Sequence, residues 1–350
     1  MKTDTRTSLW ASIKDELAAQ ISKGKLRPGD PFLSADDLSS RYKVSNITSR
    51  RVLDELAEMN LIRRVKGKGS FIKEPPACNE IFLVIESDHG LSSILQTHIY
   101  NEINKGILQA ATDAGIRITT VSPDYVVLAA ESARKLNVIT IQGIFKNKAA
   151  SDYISGGNVN CVCCHAMSAR PGILSIIEPL KEGAEMAVEH LISKGHRRIA
   201  FMMPDYSYKW FKGRFEGYQE TLMKHDLPFS FDMVRECREE KDSVAAKLGE
   251  LLSLPNPPTA IFAATDIIAL HVLKSCQERK IRVPGKMAVC GFDNRPECSI
   301  STPPLTSIDT QWMEQGRAAV ANLLKMASSG TSAKERNISI QPRLVEREST

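Results

Sequence analysis

The stretch Val44–Ile72, VSNITSRRVLDELAEMNLIRRVKGKGSFI, decides how the N-terminal part of this chain folds. Ser45 opens a run with apolar residues at Ile47, Val52, Leu53, Leu56 and Met59, which is close to one face of a helix. Thr48, Arg50 and Arg51 fall away from most of that stripe. Two short strands are expected next, Leu61–Val65 and Ser70–Lys73, joined by Lys66-Gly67-Lys68-Gly69. The glycines permit a tight turn, and lysines at its tip suit a phosphate backbone. Taken alone, the same residues also describe an ordinary surface helix and hairpin with a solvated charge run. The flanking segments tip the balance toward a recognition helix and a basic wing.

Upstream, residues 8–22 form an amphipathic helix with Ile13, Leu17 and Ile21 on one face and Trp10 one turn earlier. Gly24 and the LRPGD turn end it. Residues 34–42 make a second short helix with Ser34 as N-cap, Lys43-Val44-Ser45 is a turn, and Ile47–Met59 is the third helix. Three helices with a turn before the last, then a hairpin, is the winged helix-turn-helix layout. Charge agrees with it. Residues 1–74 hold 15 Lys and Arg against 10 Asp and Glu, which accounts for the whole net charge of +5 and leaves 31 of each sign elsewhere. A basic module attached to a neutral body points to nucleic acid.

The 350 residues suffice for two or three domains with sizeable cores. No apolar run is long enough to span a bilayer, and MKTDTRTSLWASIKDEL has acidic residues and no unbroken apolar core, unlike a secretory signal. The eight cysteines are scattered, apart from Cys161, Cys163 and Cys164, so a reducing cytoplasm is expected. The CVCCH run at 161–165 lacks the usual zinc spacing and a second pair of ligands, which favours buried strand thiols over a metal site. No metal and no cofactor is expected.

Glu74-Pro75-Pro76 stops the wing, giving a head of residues 1–74, a linker of 75–79 and a body of 80–350. In the body, Ile81–Glu86 and Ile116–Val121 read as strands and Ile99–Ala114 as a helix capped by Gly115. Residues 122–178 show apolar stretches at Val138–Phe145, Val159–Cys164 and Ile173–Ile177 between loops. From Pro179 the alternation is clear: helix Lys181–Ser193, strand Arg198–Met203, helix Lys212–His225, helix Asp242–Leu252, strand Ala260–Ala263, helix Asp266–Arg279, strand Met287–Gly291. A last helix, Trp312–Met326, precedes end strands within Ile338–Val345. Such alternation gives parallel sheets covered on both faces.

The LRPGD, SADDLSSRYKVS, ITSRRVLDELAEMNLI and GKGSFI segments, in this order over residues 9–73, resemble the N-terminal domain of the GntR family of bacterial regulators. Two positions depart from that pattern: Leu33-Ser34-Ala35-Asp36 lacks the arginine that usually follows the proline, serine and glutamate, and Asn46 stands where arginine is common. Both departures imply a different operator or weaker binding per half-site. The body resembles the effector domain of LacI/GalR regulators, through EGAEMAVEHLISKGHRRIAFM, GRFEGYQETLMKH, PPTAIFAATDIIALHVLKSCQERKIRVPGKMAVCGFDN and PPLTSIDTQWMEQGRAAVANLL. The resemblance is strongest over residues 180–325. It implies an α/β fold in which the winged head is followed by a two-lobed, periplasmic-binding-protein-like (type I) domain with a ligand in its cleft. The combination is similar to the arabinose-responsive regulators of Gram-positive bacteria.

On DNA, Arg50 could fork onto guanine and Asn46 pair with adenine. Ser45 and Thr48 suit phosphate or methyl contacts. Ser34, Arg41, Lys43, Arg51, Lys66, Gly67, Lys68 and Gly69 complete the candidate interface. In the cleft, the resemblance places Arg214 and Asp293 on ligand hydroxyls or a carboxylate. Thr265 replaces a frequent asparagine, Asp266 serves the ligand or N-caps its helix, and Trp210 and Trp312 offer a ring platform or core packing. Ser87, Asp88 and His89 are candidate contacts of the first lobe. Enzyme motifs are lacking: GKGS at 67–70 is no phosphate-binding loop, and there is no GxGxxG, HExxH or GxSxG. The expected function is a ligand-responsive, dimeric repressor that binds operator DNA and a sugar or similar small effector. The alternatives are a small-molecule-binding protein without a regulatory role and an α/β enzyme.

Overall fold

The computed structural model describes residues 9–22, 29–58, 61–65, 68–72, 78–85, 98–129, 136–141, 148–166, 172–204, 208–329 and 336–350. Met59, Lys66, Gly67, Lys73 to Pro76 and the candidate contacts Ser87, Asp88 and His89 lie outside them.

The head begins with α1 (Leu9–Ser22), a two-residue strand β1 (Pro31–Phe32), α2 (Ala35–Tyr42) and α3 (Asn46–Glu58). A hairpin follows, β2 (Ile62–Val65) and β3 (Gly69–Ile72), paired antiparallel from Ile62 opposite Ile72 to Val65 opposite Gly69. β1 adds to the far side of β3, a strand too short to be legible in the sequence. Ser34 N-caps α2 in a full capping box with Asp37, and Lys43 ends it in the left-handed region, which produces the tight turn into α3. Ile13, Leu17, Leu38, Val52, Leu53, Leu56, Ile62 and Ile72 form one core. Ile47 does not join it. At about 100° per residue it lies roughly opposite Leu56 on the helical wheel, and its side chain is 82% exposed. The expectation that placed it on the apolar stripe is corrected.

The body holds two six-stranded sheets. The first uses β4 (Glu80–Val84), β5 (Arg117–Val121), β6 (Asn137–Ile141), β7 (Asn160–Ala166), β8 (Leu174–Ile177) and β14 (Arg336–Ser339), in the order β5-β4-β6-β7-β8-β14. The second uses β9 (Ile199–Pro204), β10 (Val234–Cys237), β11 (Ala260–Ala263), β12 (Ala288–Phe292), β13 (Thr306–Asp309) and β15 (Arg343–Val345), in the order β10-β9-β11-β12-β13-β15. All neighbours are parallel except β13 and β15. Each lobe therefore repeats one doubly wound order, with its topological switch point beside the first strand. Strands covered on both faces carry apolar runs: all of Asn160–Ala166 and of Ile199–Pro204 is buried. Cys161, Cys163 and Cys164 sit buried inside β7, and no group of metal-ligating residues occurs among the described residues.

The first sheet is sandwiched by α4 (His98–Ala114) and α12 (Trp312–Ser329) on one face, and by α5 (Pro123–Ala129) and α6 (Lys148–Ser155) on the other. The second sheet lies between α7 (Leu180–Ser193) with α8 (Tyr208–Lys224) and α9 (Lys241–Leu252) with α10 (Asp266–Glu278), and the short α11 (Glu297–Ile300) follows β12. The chain crosses between lobes after β8, after β13 and between β14 and β15. The expected end strands are thus two strands in different lobes. Arg343 on β15 grips Asp309 at the end of β13 at 2.8 and 3.0 Å, tying two crossovers together. No helix of the described residues is long and apolar enough to cross a membrane.

Candidate functional site

Two candidate sites follow from this frame, one on the head and one between the lobes. On the head, α3 presents Asn46, Ile47, Arg50 and Arg51 outward. Ser45 acts as cap: its hydroxyl accepts from the Thr48 backbone N–H at 3.2 Å and lies 2.9 Å from the Thr48 hydroxyl. Two of the expected contact residues have partners within the head. Asn46, proposed to read adenine, already donates its amide to Asp36 at 2.7 Å. Arg51 stacks on the Trp10 ring at 4.0 Å and approaches Glu55, so its guanidinium braces α3 against α1. The Ser34 hydroxyl is spent on Asp37. Arg41 lies over the Tyr42 ring, Lys43 and Lys68 are exposed, and Gly69 adopts the positive φ its place in the wing requires. Arg50 is exposed and has no partner among the described residues.

Between the lobes, the second sheet brings its polar residues to the carboxyl ends of its strands, where open α/β sheets bind ligands. Arg214, on the second turn of α8, is 5% exposed and reaches across the switch point to donate to the Ala264 carbonyl after β11. It also donates to Asp293 Oδ1 at 3.1 Å, and its guanidinium lies 3.9 Å from the Phe292 ring centroid. Its Nε–H has no hydrogen-bond partner among the described residues. Asp293 follows β12 with φ +105°. Burial pushes its carboxyl up to about 6 against the pull of Arg214, and Glu239 adds to the rise.

Asp266 is tied into the fold by its own hydrogen bonds. Thr265, not Asp266, N-caps α10, its hydroxyl accepting from Ile268 N–H and donating to Glu239. Asp266 is fully buried; it accepts from the Ser307 hydroxyl at 2.6 Å and the Arg295 backbone N–H at 2.7 Å, fastening the loop after β12. Burial foremost, then the nearby Asp293 carboxylate, raises Asp266 to about 7. The folded protein therefore holds a proton here that an unfolded carboxylate, near 3.8, releases. The contribution of this acid to stability is full below about pH 4 and is lost as pH rises through about 7. Asp266→Asn, which mimics the protonated acid and cannot ionise, melts close to wild type near pH 5 and above it near pH 8. Calorimetric melts across that range check this; a variant that falls further below wild type as pH rises refutes it.

The first lobe contributes residues that sequence reasoning missed. His165 ends β7 with a positive φ and faces Glu178, which begins the first crossover. Burial, then the charge of Arg214, holds the imidazole down to about 3, so the ring that faces the Glu178 carboxylate is neutral. Its backbone N–H donates to Gln315 Oε1 at 3.4 Å, and its ring meets Trp312 edge-on at 5.2 Å and Tyr100 at 6.4 Å. Trp312 is 3% exposed and packs in the first lobe's core, yet its Nε1–H, like the amide nitrogen of buried Gln315, has no partner among the described residues. Trp210 lies in the first turn of α8, and its side chain falls outside what the structure describes. A cavity of about 430 Å³ adjoins this region, with His98, Glu102, Asp293, Arg295, Trp312 and Arg343 in its walls, a size in the range of small-ligand sites.

A winged helix-turn-helix head on a two-lobed body with a polar cleft is the architecture of a ligand-binding DNA-binding protein. The comparisons agree. Residues 9–72 match the family profile of bacterial regulatory proteins of the gntR family, and residues 188–350 match that of the periplasmic binding protein-like domain. The chain therefore carries a GntR helix-turn-helix domain followed by a periplasmic-binding-protein-like domain. It is 25% identical over 323 residues to the HTH-type transcriptional regulator DegA of Bacillus subtilis (strain 168), covering 89% of this chain and 92% of DegA. It is 31% identical over 175 residues to the HTH-type transcriptional repressor PurR of Actinobacillus pleuropneumoniae serotype 3 (strain JL03), covering 50% of this chain and 52% of PurR. The chain thus matches about half the length of that relative. A solved complex of the transcriptional regulator CelR with cellobiose aligns over 99% of this chain and 100% of its own, with TM-score 0.62 and 20% identity, which establishes a shared fold. The relatives are named for transcriptional regulation; the arabinose-responsive likeness has no counterpart among them.

Proposed function

We propose that this chain is a cytoplasmic, ligand-responsive transcriptional repressor. Residues 1–74 grip operator DNA, residues 75–79 link, and residues 80–350 bind a small polar effector, a sugar foremost, between the lobes. The observation that carries this reading is the junction of two features in one chain. One is a capped helix α3 with Arg50 turned outward; the other is an inter-lobe site where Arg214 and Asp293 of one lobe face His165 and Trp312 of the other.

Mechanism follows as linkage. An effector that binds the closed lobes better than the open ones shifts their equilibrium. In a homodimer, that shift changes the spacing of two heads and so their fit to half-sites related by two-fold symmetry. Arg214 and Asp293 supply a planar donor and an acceptor for hydroxyls, and Trp312 an apolar ring wall.

The test is a gel shift on DNA upstream of the protein's own gene at several salt concentrations, with thermal-shift screening against a monosaccharide panel. Salt-sensitive binding that a stabilising sugar alters is expected. Turnover of a sugar without any DNA shift would overturn the reading. Within the same assay, Arg50→Ala weakens binding about 10- to 100-fold and relaxes preference at one base pair. Lys68→Ala weakens all sequences alike and flattens the log-log salt slope by about one.

A further inference from the structure

The polar residues at the exposed end of α3 are mostly committed within the free head. Asn46 holds Asp36 at 2.7 Å, the Ser45 and Thr48 hydroxyls hold each other at 2.9 Å, Arg51 stacks on Trp10, and Arg64 of the wing is paired with Asp54. On the first two turns of α3, two outward side chains remain without a partner among the described residues, Ile47 and Arg50. They are three residues apart on a helix and so neighbours on one face. Ile47 is 82% exposed although it is large, apolar and β-branched. A branched side chain has few rotamers, so its presented surface is nearly fixed before any partner arrives.

We infer that Ile47 packs against the 5-methyl group of a thymine in the major groove, and that Ile47 with Arg50, rather than Asn46, sets the base preference of the head. This rests on the DNA-binding reading above. The chemistry is selective. The thymine methyl is the bulky apolar group on the major-groove edge of the bases, where the other projecting groups are hydrogen-bond donors or acceptors. An isoleucine opposite any other edge would desolvate a polar group with no partner. Arg50 on the same face suits a neighbouring guanine, whose two acceptors match its fork. The expected half-site therefore contains a thymine next to a guanine contact.

The experiment uses the full-length protein. Preferred duplexes are enriched from a random library, and in the enriched sequence each thymidine is replaced singly by deoxyuridine, which lacks only the methyl. One thymine per half-site is expected at which the exchange weakens wild type about fourfold, the worth of one buried methyl group. Ile47→Ser binds more weakly and loses sensitivity to that exchange, while its melting temperature and sedimentation match wild type because the side chain is largely exposed in the free head. The inference is overturned if no deoxyuridine exchange affects wild type, or if Ile47→Ser keeps the same sensitivity. It is also overturned if Ile47→Ser alters sedimentation without altering sensitivity, which would make Ile47 a protein contact. Failure to enrich any sequence would instead overturn the DNA-binding reading itself.

Discussion

Arg214→Ala is expected to abolish the response to effector and to lower the melting temperature of the body by on the order of 10 °C. Both effects come from one place. The guanidinium is buried, and its fork spans the Ala264 carbonyl and the Asp293 carboxylate. Alanine leaves Asp293 in a low-dielectric site without its cation. Breaking one side of a buried, hydrogen-bonded ion pair costs about 3–5 kcal/mol, largely from the charge left behind. The variant also loses the stacking on Phe292. Lysine does not rescue it, since a single ammonium cannot serve two acceptors in a plane and still aim a donor into the cleft. Asp293→Asn is milder, because the amide oxygen still accepts from Arg214 and the native carboxyl is already raised to about 6 by burial. Scanning calorimetry gives the stability effect. Titration with the monosaccharide that most stabilises wild type gives the binding effect. If Arg214→Ala melted like wild type and still answered that sugar, Arg214 would be neither a cleft anchor nor a ligand contact.

The second lobe is largely legible in the amino-acid sequence, because its strands are short apolar runs set between capped helices. Thr265-Asp266 and Gly291-Phe292-Asp293 mark strand ends without ambiguity. β13 escapes a reading by apolar pattern because it is polar. Thr306 and Ser307 are fully buried in it, since residues distant in sequence supply their partners: Ser349 accepts from Thr306 N–H at 2.9 Å, and Ser307 donates to Asp266. β10 is only four residues with mixed burial and carries no periodic signal. His165 is hidden differently. It stands in a run that suggests thiol chemistry, while its partners Glu178, Gln315 and Arg214 are distant in sequence. Only the crossing of chain between lobes brings them together. In the head, the error at Ile47 comes from treating every apolar residue of a helix as core. The phase of that residue against Leu56 contradicts it, and attention to phase exposes it as a surface group.

Gly316→Ala is expected to destabilise the first lobe by about 2–3 kcal/mol, and Gly316→Val by more, with loss of effector affinity in both. Gly316 lies on α12 where that helix crosses α4. A Cβ there would sit 2.1 Å from the Ile103 carbonyl oxygen and 2.7 Å from the Ile107 nitrogen. Gly106 on α4 is the reciprocal site, its Cβ falling 2.0 Å from the Met313 carbonyl oxygen. These are backbone atoms, which no rotamer change can clear, so the helices must part. α12 follows the β13 crossover, and its first turn holds Trp312 and Gln315 against His165. Parting the helices therefore moves one wall of the cleft relative to Arg214 in the other lobe. Stability and effector affinity should fall together, unlike in a variant that only trims the cleft. Gly285→Ala is the matched control: its added Cβ meets Arg282 at an ordinary 3.7 Å, and its melt should stay within about 0.5 kcal/mol of wild type. Chemical denaturation of the variants, with sugar titration of each, separates the two effects. If Gly316→Ala kept native stability, the close crossing of α4 and α12 would not be what positions Trp312, and the coupling of lobe packing to effector binding would have to run through the β7–Glu178 crossover instead.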